Sequence, residues 1–227
     1  MVHSQPELKK LFFKLTGLFC SYLTWALGII LTSSRSWRVW EFDSNIVPVV
    51  FIGLWDVFFS QSFNISGSMV EVPMYCKMNG SWHIADEIWY GQDLILLANF
   101  MTSIALIFSS LALFIGWIHA PYPDFLQSSY NASAFFLFLS SSCTTITVSW
   151  NFAMDFYGKT TFTFPPSFPI KKEMLRKKRF TYMFPLGITT AILSLISATM
   201  FFCEMCSLKH WNQVKPMAAG KCSKEKV

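Results

Sequence analysis

Charged side chains are scarce in this chain, at 14% of 227 residues, against about 25% in soluble domains. Together with 53% hydrophobic residues and a mean hydropathy of +0.41, that shortage excludes an ordinary water-soluble fold. Cysteine is dispersed: Cys20, Cys76, Cys143, Cys203, Cys206 and Cys222 form no two close pairs of the kind zinc needs. No metal or other cofactor is expected. The four histidines, His3, His83, His119 and His210, sit in tails and loops. A membrane enzyme needs an ionisable cluster inside or at the mouth of its bundle. The apolar spans offer Asn99 and hydroxyls but no histidine facing a carboxylate, so catalysis is not expected. The formal charge is +5, yet Lys and Arg flank apolar stretches rather than interleaving with aromatics in a patch. That argues against nucleic acid as a partner and for membrane lipid.

What the chain has in abundance is long apolar runs. A bilayer span needs about 20 predominantly apolar residues, and four segments fit: 11–31, 94–118, 132–153 and 182–202. These leave an N-terminal tail (1–10), a long first loop (32–93), a short link (119–131), a second loop (154–181) and a C-terminal tail (203–227). The third span carries Ser140, Ser141, Ser142, Thr144, Thr145 and Thr147, small hydroxylated residues that let helices approach and share hydrogen bonds in lipid, so it reads as a helix packed inside a bundle. Pro185 is tolerable near the start of the fourth span, where the first helical turn has no N–H partner to lose. The first span, preceded by Lys9, Lys10 and Lys14 and followed by Ser33 and Ser34, also has features of a secretory signal peptide. Its apolar run exceeds the usual length of about 7 to 15 residues, and Trp37-Arg38-Val39-Trp40 reads as an interfacial aromatic belt after a retained helix.

The first loop alternates β-branched and aromatic residues with polar ones, in 45–52 and again in 69–72, the pattern of strands. A mainly α membrane protein is therefore expected, with a left-handed four-helix transmembrane bundle and a small extracellular antiparallel β-sheet. Four crossings put both termini on one side. Lysines near the termini place that side in the cytoplasm, whereas Lys159, Lys171, Lys172, Arg176, Lys177, Lys178 and Arg179 pull the second loop the same way. The acceptor tripeptides at Asn64 and Asn79 are candidate glycosylation sites that put the long loop outside.

Trp37, then Gly53-Leu54-Trp55, then Cys76 resembles the first extracellular segment of the claudins, whose signature is W…GLW…C…C. Leu139 to Trp150 followed by Asn151, Ala153 and Asp155-Phe156-Tyr157 resembles the end of the third claudin helix, and Lys171-Lys172-Glu173-Met174 the approach to the fourth. The Gly-Leu-Trp tripeptide is shared with the peripheral myelin protein group and the calcium-channel gamma subunits; the order of features along the whole chain is more specific. The resemblance implies a disulfide between two loop cysteines, the first three residues after the tripeptide's Trp. Phe58 stands at that position. The stabilisation such a bridge supplies, about 2 to 5 kcal/mol, is expected to come instead from Phe58, Phe59, Phe63 and Tyr75, from membrane support, or not at all.

The resemblance also implies a tight-junction protein of the plasma membrane. Its loops would associate with itself and with other claudins in cis and trans, giving cell–cell adhesion and a paracellular barrier or ion selectivity. Asp56, Glu71 and Lys77 are then the candidate selectivity charges. Phe162, Phe164, Pro165, Pro166 and Phe168 are candidates for contact between opposing cells, or alternatively rest on the first-loop sheet. Cys203 and Cys206 are candidate palmitoylation sites, and Glu225-Lys226-Val227 ends in a Val suited to a PDZ scaffold. The alternative is a regulatory four-helix subunit of a channel or receptor, as in the gamma-subunit and myelin-protein relatives.

Overall fold

A computed structural model describes residues 5–65, 68–80, 82–118 and 122–224, with side chains described between Leu11 and His210 apart from Ile65. The elements follow in the order α1 (Gln5–Ser33), β1 (Arg38–Phe42), β2 (Val49–Ile52), β3 (Asp56–Ile65), β4 (Ser68–Lys77), α2 (Asp86–Trp117), α3 (Pro123–Phe156), β5 (Leu175–Arg179) and α4 (Met183–Lys224). The protein is mainly helical. All four helices are long and apolar enough to cross a membrane, and the strands form a small antiparallel sheet. The chain is a multi-pass membrane protein.

Each helix overshoots the apolar run that announces it. α2 begins at Asp86, and Asp86 and Glu87 occupy its first turn, where carboxylates complement the helix dipole. α3 begins at Pro123, whose fixed φ suits a first helical position and whose missing N–H is an orphan there in any case. α4 keeps Pro185 in its first turn and runs on to Lys224, well beyond the apolar segment.

The chain forms two compact units. The first comprises Met1–Ala26, Ala98–Ser142 and Thr190–Val227. Its core joins Ala105, Ala112, Tyr130, Ala134, Leu137, Ala198 and Phe201, and hydroxyls link its helices. Ser21 and Ser197 lie 2.5 Å apart, Ser197 donates to Gly17 O at 2.7 Å, Ser141 to Ala191 O at 2.9 Å, Ser194 to Leu137 O at 2.8 Å, and Thr102 meets Ser140 at 2.7 Å. Helices in lipid gain little from hydrophobic association, so close approach and shared hydrogen bonds carry their packing. α3 is the most inward of the four, with 44% of its apolar window buried against 28, 33 and 39% for the others.

The second unit comprises Leu27–Leu97 and Cys143–Thr189 and holds the sheet, in the order β4-β3-β2-β1-β5. Four strands come from the first loop and the fifth from the second. Alternation sorts the side chains onto two faces. One face buries Trp40, Phe42, Val50, Ile52, Val57 and Phe59. The reading of 37–40 as an interfacial belt is therefore corrected: Trp37, Val39 and Trp40 are 8, 8 and 0% exposed. From Arg38 onward they form strand β1, held by β2 on one side and β5 on the other. The run 45–52 is strand only from Val49, because Phe42 donates to Pro48 O and the chain turns between them.

Candidate functional site

The Gly53-Leu54-Trp55 turn ties the sheet to the ends of two helices. Gly53 N donates to Asp56 O at 2.8 Å. A Cβ on Gly53 would stand 3.1 Å from both Arg35 Cα and Ser34 O, so only glycine lets the turn lie this close to the chain leaving α1. Leu54 is fully buried, and its carbonyl accepts from Gln92 of α2. Trp55 donates from Nε1 to Thr32 O at 3.0 Å, and Trp37 donates likewise to Leu31 O at 2.9 Å. The signature residues thus position the sheet on its helical supports.

Beneath the inner face lies an ionic knot that sequence reasoning missed. Arg38 and Glu87 are 2 and 1% exposed and pair at 3.0 Å. Arg38 also donates to Asn151 Oδ1 at 3.1 Å and Thr160 Oγ1 at 2.8 Å, leaving its Nε without a partner. Asn151 donates in turn to Glu87 O at 2.7 Å. Beside the knot, Trp40 Nε1 and Lys178 Nζ both donate to Asp155 Oδ1, at 3.1 and 2.9 Å. Lys172 Nζ holds Thr160 O and Phe162 O at 3.0 and 2.9 Å, which pins the second loop to this layer. Burial pushes the Lys172 ammonium below its usual range; the charges of Lys178 and Arg38 push the same way, while Glu87 and Asp155 oppose. The signal was an arginine at the start of a strand rich in large apolar residues, Arg38-Val39-Trp40-Glu41-Phe42.

The second-loop aromatics cover the sheet, the second of the two alternatives for this run, and two of its three phenylalanines are buried there. Phe162 is fully buried and lies 5.9 Å from both Trp40 and Trp82. Phe168 is 9% exposed and packs on Phe59 at 4.8 Å, and Phe164 stacks on Phe168 at 4.5 Å. Pro165 is half-buried; Pro166 alone of the five is exposed.

The outer face carries Asp56 and Phe58 on β3, Glu71, Tyr75 and Lys77 on β4, and Phe51 on β2. Phe51 and Phe58 lie 6.0 Å apart, and Tyr75 stands opposite Phe58 in register. The three candidate selectivity residues share this face, yet their charges are not equally free. Asp56 accepts from the Tyr75 hydroxyl at 2.5 Å and lies 3.7 Å from Arg35, with Lys77 opposite it in register. Glu71 and Lys77 are exposed. Arg35 also covers the Tyr75 ring at 4.9 Å. The hydrogen bond to Asp56 holds the Tyr75 hydroxyl above its usual range, aided by desolvation and by the Asp56 charge, with Arg35 opposing.

Of the aromatics expected to replace the disulfide, only Phe59 enters the core, at 2% exposure, while Phe63 and Tyr75 are 37 and 48% exposed. Cys76 is a free, half-buried thiol, and its cross-strand partner is Val57 rather than Phe58. One residue of offset sends two side chains to opposite faces. In a background where Cys76 is the sole native cysteine, Val57→Cys is therefore expected to cross-link to it under mild oxidation, because directly opposed strand residues meet disulfide spacing. Phe58→Cys is expected to stay reduced. Non-reducing mass measurement reads both, and a bridge at position 58 would show that the register is wrong.

Asn64 closes β3 at the far end of the hairpin and Asn79 follows β4; both are exposed, and the serine of each tripeptide lies outside the described residues. Cys203 and Cys206 are free and exposed on α4. Glu225, Lys226 and Val227 lie outside the described residues. No protein-family model matches the chain, and no curated protein matches it.

Proposed function

We propose that this chain is a claudin-like tight-junction protein of the plasma membrane, with its sheet outside the cell and its termini in the cytoplasm. It binds copies of itself and other claudins side by side and across the cell gap, and a PDZ scaffold through its C-terminus. The observation that carries the reading is the β3–β4 hairpin. β3 and β4 pair over their whole length, Asp56↔Lys77 to Ile65↔Ser68, whereas β2 supports β3 only from Val57 to Phe59. Ser62 N still donates to Ile46 O at 2.8 Å, and beyond it the hairpin is a two-stranded ribbon, with Phe63, Met69 and Val70 at 37, 63 and 41% exposure and β4 at the edge of the sheet. A sheet edge and apolar side chains projecting together suit association between chains. Glu71, Pro73 and Lys77 along β4 discourage indiscriminate edge pairing. With Asp56 paired with Arg35, hydrogen-bonded by Tyr75 and faced by Lys77, the outer face favours sealing over cation selectivity.

The test is expression in cells that lack junction strands. Enrichment at contacts between two expressing cells is expected, with loss of enrichment but not of surface delivery in the Met69→Lys/Val70→Glu variant. Diffuse surface staining of the wild type would reject the junction role and favour a regulatory four-helix subunit. Glycan at Asn64 or Asn79 reports the side of the membrane independently.

A further inference from the structure

A cleft of about 300 Å³ lies where α3 ends at Phe156 and α4 begins at Met183. Both helices are membrane spans by length and hydropathy, and on this side their apolar runs stop at 153 and start at 182, close to the helix ends at Phe156 and Met183, so hydrocarbon gives way to headgroups near this level. The side chains there fit that level: Phe156, Tyr157, Phe180 and Tyr182 are 70, 70, 68 and 61% exposed, an aromatic girdle of the kind that marks membrane–water boundaries. Phe152 forms the apolar wall of the cleft, stacked on Phe184 at 4.2 Å and set against Phe156 and Phe180 at 5.6 and 5.7 Å.

The same cleft is lined by Lys178 and Arg179. They belong to a strand reading Leu-Arg-Lys-Lys-Arg, whose ion-pair partners are Asp155, 2.9 Å from Lys178, and Glu41, bound by Arg179. Asp155 lines the cleft as well, so the two cations lining it are each matched by a carboxylate, and the strand's surplus positive charge is that of Arg176 and Lys177, outside the lining. Arg179 has capacity to spare. A guanidinium carries five N–H donors, and the bond to Glu41 uses only Nε, while the side chain is 63% exposed. An Arg fork with its amino groups open is matched to the oxygens of a phosphodiester. Apolar wall and open fork together describe an amphiphile with a phosphate head, and at this level the amphiphile at hand is a membrane lipid.

We propose that this cleft holds one phospholipid, with its phosphodiester on Arg179 and Lys178 and the first part of an acyl chain against Phe152, Phe156, Phe180 and Phe184. The additional cations of the same strand, Arg176 and Lys177, make an anionic headgroup the preferred one. Glu41 competes with the lipid for Arg179 and sets the affinity of the site.

Native mass spectrometry of the purified full-length protein in detergent, titrated separately with phosphatidylglycerol, phosphatidylcholine and cholesterol, tests this. One phospholipid per chain is expected, phosphatidylglycerol more tightly than phosphatidylcholine, with cholesterol failing to displace either. Arg179→Gln should weaken phosphatidylglycerol about tenfold, and Thr181→Trp, which fills the cleft, should expel both phospholipids. Glu41→Gln should tighten phosphatidylglycerol about threefold by releasing Arg179, a gain that damage to the fold cannot produce. Preferred retention of cholesterol overturns the proposal, as does unchanged phosphatidylglycerol affinity in Arg179→Gln or Glu41→Gln. Lipid retained by a folded Thr181→Trp chain would place it outside the cleft and overturn it equally.

Discussion

Arg38→Met is expected to destabilise the protein by about 3–5 kcal/mol, the cost typical of removing one partner from a buried ion pair. The reason lies in what is left behind. Glu87, 1% exposed, loses the guanidinium 3.0 Å away, while Asn151 Oδ1 and Thr160 Oγ1 lose their donor at the same stroke. A buried carboxylate without a counter-charge must either take up a proton or draw water into the core. The effect should show as a lowered midpoint of thermal unfolding in detergent and as retention inside the cell. Arg38→Met/Glu87→Leu removes both charges and is expected to be more stable than Arg38→Met alone, because an apolar pair of similar volume avoids the desolvation of two ions. A double variant no better than the single would mean that the knot is held by the amide and hydroxyl contacts rather than by the ion pair. The coupling of a double-mutant cycle separates these contributions.

Gly187→Ala is expected to cost about 1–3 kcal/mol, and Gly187→Leu more, by overpacking the contact between α4 and α3. A Cβ at Gly187 would stand 2.3 Å from Val148 Cγ2 and 2.9 Å from its Cγ1. Val148 is 1% exposed and branched at Cβ, so it has neither room nor a second rotamer to step into. The helices must separate, which also loosens the buried residues beside Val148 in the second unit's core. Trimming the obstacle is the sharper test. Val148→Ala in the Gly187→Ala background should recover most of the lost melting temperature and surface delivery, since it removes both Cγ methyl groups that the new Cβ would strike and leaves only the Cβ of residue 148, 3.1 Å away. Equal losses in the single and double variants would assign the effect of Gly187 to something other than close packing.

The four crossings were legible because about 20 apolar residues in a row have no other use in a chain with so few charges. Their ends were not, because a helix leaving lipid continues for as long as its backbone bonds are satisfied and its cap residues permit. Asp86 and Pro123 mark limits set by that chemistry, which hydropathy does not measure. Strand β5 escaped for a related reason. Leu-Arg-Lys-Lys-Arg has no apolar alternation, and its pairing with β1 comes from backbone bonds to a strand far away in the sequence. Trp37-Arg38-Val39-Trp40 was readable only as aromatics near a membrane, since its true surroundings are second-loop residues and the start of α2. The aromatic run 162–168 showed an apolar cluster without showing which surface would cover it, and the sheet proved to be that surface. The Gly-Leu-Trp tripeptide stood out only through the claudin resemblance; the close approach at its glycine, the burial of its leucine and the bond from its indole come from the structure.

The placement of Arg38 bears on how the protein is made. Its carboxylate partner lies 49 residues later in the chain, but Asn151 and Thr160 lie 113 and 122 residues later. β5, which closes the open edge of β1, comes later still. Until the end of the third helix and the second loop are made, the earliest strand therefore lacks two of the three side-chain partners that Arg38 has in the finished fold and one of the two strands that flank it. The sheet begins first and finishes nearly last. A ribosome stalled anywhere before the second loop presents the cell with a strand ready to pair with whatever arrives.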